Sequence, residues 1–169
     1  DLKQDQPDVL HHQIPAAIVR AATGIQILDN QINALYATGY LHNHIRMYLA
    51  AMVCNNAKSH WLAPARWMYY HLLDGDLASN SCSWQWVAGS FSSKKYYCNQ
   101  ENINKYTSSN QRYTFLDDSY EHIATMPVPK ALEATTTLDV KTILPPTAVP
   151  KLDISKPTLL YNSYNLDPL

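Results

Sequence analysis

Ile25, Leu28, Ile32, Leu35 and Tyr36 fall at i, i+3, i+7, i+10 and i+11. That repeat gathers side chains on one face of an α-helix and on no single face of a strand. A helix with such a stripe must bury it against another element. Gly24 precedes the run, and Gly39 follows it where a left-handed residue ends a helix. The next stretch, roughly residues 41–57, sets Leu41, Ile45, Leu49, Met52 and Val53 along a second stripe. A third helix is expected over roughly residues 63–73, with Pro64 in its first turn and a stop near Asp74-Gly75-Asp76. A short fourth is expected over residues 83–88. β-Branched alternation is nearly absent, so the expected fold is mainly α.

Composition divides the chain near residue 125. All four Trp and all four Gly lie before that point, and seven of the ten Pro lie after it. Residues 1–125 read as packed helices, and residues 126–169 as a Pro-rich, extended segment with few core candidates. A strand over residues 158–161 would have no evident partner in this chain. The net charge is −1 and 16% of residues are charged. This excludes a strongly basic nucleic-acid arm but not a local basic site. No apolar run reaches the length of a membrane span. Cys54, Cys82 and Cys98 are odd in number and lack CxxC spacing. A reducing, cytoplasmic setting is therefore expected, without a disulfide framework or metal site. The sequence begins without Met or a signal-like apolar stretch, and a fragment or processed product is expected.

Three segments carry candidate chemistry. In His42-Asn43-His44-Ile45-Arg46-Met47, residues 43, 46 and 47 share a helix face. An amide, a guanidinium and a thioether there mean either a solvated face or a binding face. In Asp74-Gly75-Asp76 two carboxylates flank a glycine. They suit a helix cap, a metal loop or acceptors for a buried ligand, although the later Glu of a calcium loop is missing. An Asp there can also pair with Arg46. In Trp84-Gln85-Trp86 the two indoles point about 200° apart on a helix, so they cannot share one face. They are core residues or walls of a site.

Taken together, these segments resemble a known family. Thr23-Gly24, Asp29, Leu35, Thr38-Gly39, His42-Asn43, Arg46-Met47, Trp61, Leu73-Asp74-Gly75-Asp76, Ser79-Asn80 and Trp84-Gln85-Trp86 follow the order and spacing of the photolyase/cryptochrome family. The likeness runs from about residue 21 to residue 88. It implies the C-terminal half of a helical FAD-binding domain. It also implies that the domain's upstream half lies outside this chain and that a further domain follows the Pro-rich segment.

By that resemblance Asn80 lies beside flavin N5 and tunes its redox state. Asp76 contacts the flavin or its ribitol and adenosine edge. Asp74 pairs with Arg46, which lies near the isoalloxazine ring. Asn43 and Met47 touch the damaged base pair, and Trp86 packs against a flipped pyrimidine dimer. Trp84 and Trp61 stand for the proximal and middle members of an electron-transfer chain. Asn43 and Met47 are typical of the branch that repairs cyclobutane dimers; the branch acting on (6-4) photoproducts carries His at both positions.

Two departures stand beside the likeness. Asp8 occupies the place of the distal Trp of that chain, for which Tyr69 or Tyr70 is a candidate substitute. Lys94-Lys95 is either a phosphate contact or a solvated pair. The implied activity of the complete protein is a lyase reaction: blue-light-driven splitting of cyclobutane pyrimidine dimers in damaged DNA. The alternatives are a cryptochrome-like light sensor and a helical fragment without activity of its own. No membrane partner is implied.

Overall fold

Thr23, Gly24 and Asp29 show how the first long helix is started. The Asp29 carboxylate accepts from the Thr23 backbone N–H at 2.8 Å, the Thr23 hydroxyl at 2.7 Å and the Gly24 N–H at 3.1 Å. One side chain thereby satisfies donors at the front of the helix and gains from the helix dipole. The computed structural model describes residues 4–140, 153 and 155–157. The strand considered at residues 158–161 lies outside them.

In chain order the elements are β1 (Ile14–Pro15), α1 (Ala16–Val19), α2 (Gln26–Thr38), α3 (Asn43–Ala51), a π-helical turn (Met52–Asn56), α4 (Leu62–His71), α5 (Leu77–Ala88), α6 (Gln100–Thr107), α7 (Tyr120–Thr125), α8 (Lys130–Glu133) and β2 (Thr135–Thr136). The fold is mainly α, as the apolar periodicity predicts. Helix α2 buries Leu28, Ile32 and Leu35. It ends at Gly39, whose φ of 70° is left-handed and whose N–H reaches the Leu35 carbonyl at 2.8 Å. A Cβ at position 39 would sit 2.5 Å from Leu73 Cγ, so glycine is required there for both backbone and space.

Helix α3 does not simply run on to residue 57. Its last turn widens into the π-turn, all five residues of which are buried. The wider turn aims two amides into the core. Asn55 Nδ2 donates to the carbonyls of Val87 at 3.0 Å and Tyr96 at 2.7 Å. Asn56 Nδ2 donates to the Ile123 carbonyl at 3.3 Å. Val87 lies in the last turn of α5, where carbonyls lack helical partners. Asn55 supplies one.

Helix α5 is twice as long as the expected residues 83–88. It begins at Leu77 because Asp76 caps it, accepting from the Ser79 N–H at 2.7 Å. The run Ala78-Ser79-Asn80-Ser81 is a weak helix former, and the cap and tertiary packing override that preference.

The composition change at residue 125 is not the edge of the packed region. Leu132 of α8 is fully buried in the common core. Thr135–Thr136 pairs antiparallel with Ile14–Pro15, in the register Ile14 with Thr136 and Pro15 with Thr135. The Ala16 N–H donates to the Ala134 carbonyl at 2.7 Å. Pro129 at the N-cap of α8 and Pro15 in the two-residue ribbon do not prevent this, because both places tolerate proline.

Candidate functional site

Helix α3, the loop after α4 and the first half of α5 converge on one open pocket of about 540 Å³. From α3 come Asn43, Arg46 and Met47; from the loop, Asp74, Gly75 and Asp76; from α5, Asn80, Ser83, Trp84 and Val87. Arg46 Nη2 donates to both carboxylate oxygens of Asp74, at 2.8 and 2.9 Å. Its Nε donates to the Leu41 carbonyl at 2.8 Å. The guanidinium is thus fixed at both ends of its fork.

Asn80 Nδ2 donates to the Ala65 carbonyl of α4 at 3.0 Å. Only an amide NH₂ can donate to a carbonyl, so this bond also fixes the amide's orientation. The Oδ1 and the second amide hydrogen remain for a pocket ligand. Asp76 has a structural duty as the α5 cap and also lines the same pocket. Trp84, Met68 and Val87, each at most 2% exposed, make the apolar wall.

A second, shallower pocket adjoins the first. It is lined by Asn43, Met47, Cys82, Ser83, Trp86, Val87 and Phe91. Trp86 is 43% exposed, whereas Trp84 is 2% exposed. The two indoles therefore stand in different pockets although one residue separates them. Trp86 also rests on Tyr96, with ring centroids 5.9 Å apart. Burial, followed by the neighbouring Cys98, pushes the Tyr96 phenol up to about 12, so it stays neutral.

Of the residues singled out from the sequence, Asn43, Arg46, Met47, Asp74, Asp76, Asn80 and Trp84 meet in the first pocket, and Trp86 in the second. Trp61 is not among them. It precedes α4, its backbone N–H donates to Gln6 Oε1 at 2.8 Å, and its ring lies 5.7 Å from that of His60. Its indole nitrogen is buried without a hydrogen-bond partner among the described residues, and no ring contact with Trp84 is found among them.

Tyr69 and Tyr70 stand eight and nine residues beyond Trp61, about 12 Å along the helix axis. There Tyr69 packs at Gly75 and Tyr70 at His71, not beside Trp61. Of the Lys94-Lys95 pair, Lys94 is exposed, whereas Lys95 is not a solvated lysine. The Lys95 side chain is 13% exposed and bonds Asp8 at 2.8 Å. Asn55, Tyr96 and Met68 were not singled out. Their roles come from pairings across the fold, and only the buried apolar character of Met68 has a local signal.

An apolar wall with an amide, a guanidinium and two carboxylates on its rim suits one edge of a flat heterocycle with polar atoms on its perimeter. The donor set therefore fits the ring end of a flavin.

Comparison with known proteins agrees. Residues 4–132 match the family described as the FAD binding domain of DNA photolyase. The match covers well over half of the chain, and the chain belongs to this family. FAD is the cofactor of that domain.

The chain is similar to the deoxyribodipyrimidine photo-lyase of Agrobacterium fabrum, 38% identical over 74 residues, which are 44% of this chain and 15% of that protein. It is similar to the protein of the same name from Salmonella typhimurium, 38% identical over 69 residues, or 41% and 15% of the two chains. A Neurospora crassa protein, again so named, is 35% identical over 72 residues, 43% of this chain and 12% of its own. The chain thus aligns with only a small part of each relative's length. No solved structure matches it. Among the described residues no helix is long and apolar enough to cross a membrane, and no group of three or more candidate ligands is placed to hold a metal ion.

Proposed function

We propose that the complete protein splits cyclobutane pyrimidine dimers in DNA under blue light, and that this chain supplies the lesion-facing part of its FAD-binding domain. One observation carries the reading. Helix α5 sets Trp84 in the wall of one pocket and Trp86 in the next, and Asn43 and Met47 line both. A cofactor and a flipped base in adjoining pockets would then share a boundary made by Asn43, Met47, Ser83 and Val87. Reduced FAD, when bound, supplies the light-driven electron. The chain's own residues do the rest. Arg46 and Asp74 hold the rim, Asn80 offers its amide to the ring edge, and Trp84 excludes water from the ring face. Trp86 gives a half-exposed indole surface on which an unstacked base can lie, and the Asn43 amide can meet a base edge.

The sequence matched is a small share of each relative. The reading therefore includes an upstream half of the domain and a downstream domain supplied by the complete protein. Cytoplasmic placement is part of the same proposal, supported by three free thiols of which Cys82 is exposed.

The test uses the complete protein with reduced FAD and an oligonucleotide bearing one thymine dimer. Blue light is expected to restore intact thymines. Trp86→Ala should weaken dimer binding roughly tenfold, the worth of one lost base stack, while Trp84→Phe should leave it nearly intact. Retained flavin with dimers left unsplit under light would overturn repair and favour a sensor.

A further inference from the structure

The start of α3 and the end of α6 share a feature that the two pockets do not use. The rings of His42 and His44 are stacked, with centroids 5.3 Å apart and planes 22° apart. His44 in turn lies against Tyr106, at 4.9 Å and 21°. Three near-parallel rings make a ladder at the surface, with His42 exposed at one end and Tyr106 53% exposed at the other. The ladder borders an open groove of about 460 Å³ between α2, α3 and α6, where Ile27 and Ile45 are apolar and Gln31 polar. Among the described residues no acidic side chain lines the groove. The Lys105 ammonium lies 5.4 Å from the centre of the Tyr106 ring.

We propose that this groove takes an unpaired nucleotide of the DNA strand next to the lesion, with its base stacked on the His42–His44–Tyr106 ladder. The inference rests on the repair reading above. Continuity with the site supports it. Asn43 sits between the two histidines in sequence and lines both pockets. The ladder therefore begins within one helical turn of both pockets, on the neighbouring face of α3.

The chemistry of the groove is that of a nucleotide site. Stacked rings accept any base by its π-face. The Gln31 amide offers a donor and an acceptor to a base edge. Lys105 offers a cation to a phosphate. The lack of carboxylates removes the repulsion that a polyanion would otherwise meet.

The test uses the complete protein and a dimer-containing oligonucleotide with 2-aminopurine beside the dimer, whose fluorescence falls when the base stacks. Tyr106→Leu and His42→Asn remove a ring each. Asn keeps a helix-capping acceptor at position 42, so the second variant spares the fold. Each is expected to weaken binding roughly tenfold and to relieve the quenching. Tyr106→Phe should behave as the unaltered protein, and the salt dependence of binding should be the same in all. Unchanged affinity and quenching in Tyr106→Leu and His42→Asn would overturn the ladder and leave the repair reading standing. Equal losses in Tyr106→Phe and Tyr106→Leu would assign the effect to the phenol hydroxyl and overturn it too. If the unaltered protein does not bind the damaged oligonucleotide at all, the repair reading fails and this inference with it.

Discussion

Arg46 and Asp74 lie 28 residues apart and are joined by one guanidinium nitrogen that serves both carboxylate oxygens, at 2.8 and 2.9 Å. The same arginine holds the Leu41 carbonyl through Nε. The pair thus sets the helix that carries Asn43 and Met47 against the loop that leads into α5. Its side chains are 26% and 53% exposed, so water screens the attraction and its share of stability is about 1 kcal/mol or less. Asp74→Asn should therefore leave the thermal midpoint nearly unchanged. Retention of FAD by the complete protein should fall roughly tenfold, the worth of one charge-assisted hydrogen bond. Calorimetry and flavin absorbance on one preparation separate the two effects. A large loss of stability with full flavin content would contradict the assignment.

Asn55 is 1% exposed and donates to the carbonyls of Val87, which also takes the Tyr96 N–H, and of Tyr96. Asn55→Leu should cost about 1–3 kcal/mol, chiefly through the Tyr96 carbonyl, since the Val87 carbonyl keeps the Tyr96 N–H at 3.1 Å; denaturant unfolding reads it. Asn55→Asp should cost more at neutral pH, because it places a buried charge against two carbonyl oxygens. Its deficit should shrink on acidification, when a protonated carboxyl can donate again. Equal, pH-independent losses would mean that shape alone matters at this position.

Gly39 and Gly24 both have positive φ, 70° and 84°. Alanine at either should cost about 1–2 kcal/mol from the left-handed backbone. The two differ in space. A Cβ at 24 meets nothing within 4 Å, whereas one at 39 collides with Leu73, next to Asp74. Gly39→Ala should therefore also lower FAD retention by the complete protein, and Gly24→Ala should not. Comparison of melting and flavin content for both variants checks this.

The His71 imidazole packs against the rings of Tyr36, Tyr70 and Trp67, and burial holds its pKa below the usual histidine value of 6.5. The folded state then binds a proton less readily than the unfolded state. Its contribution is complete above about pH 6.5 and is lost as pH falls through the lower folded value. His60 adds in the same direction, through burial and the neighbouring His12. His71→Phe keeps an aromatic ring and removes the titration. Its stability should therefore fall less than that of the unaltered chain between pH 7.5 and pH 5. Parallel pH profiles would place the acid sensitivity elsewhere.

The apolar stripes of α2 and α3 and the stop at Gly39 were legible because each is a local repeat or a single backbone requirement. The meeting of Asn43, Arg46, Met47, Asp74 and Asn80 was legible through the order of motifs, since the residues alone suggested the Arg46–Asp pair but left a solvated face open on α3 and favoured a cap at the loop. The π-turn was not, because widening one turn leaves Met52 and Val53 on an apolar stripe and shows itself only in the burial of Asn55 and Asn56. The early start of α5 was hidden by Ser79, Asn80 and Ser81, which favour caps and turns until packing decides. Lys95 with Asp8, 87 residues apart, and Leu132 in the core depend on chain return. No local pattern records that.

The short ribbon has a consequence for how the chain is made. The Thr135 hydroxyl donates to Gln13 Oε1 at 2.6 Å across 122 residues of sequence, and Ile14 and Ile18 are wholly covered in the finished fold. At a synthesis rate of about 5–20 residues per second, the partner strand follows roughly 6–25 s after these isoleucines leave the ribosome. During that interval residues 14–15 lack the strand that pairs with them in the finished fold. Closure is a late event, and residues 14–18 are where a chaperone or a neighbouring nascent chain has time to bind.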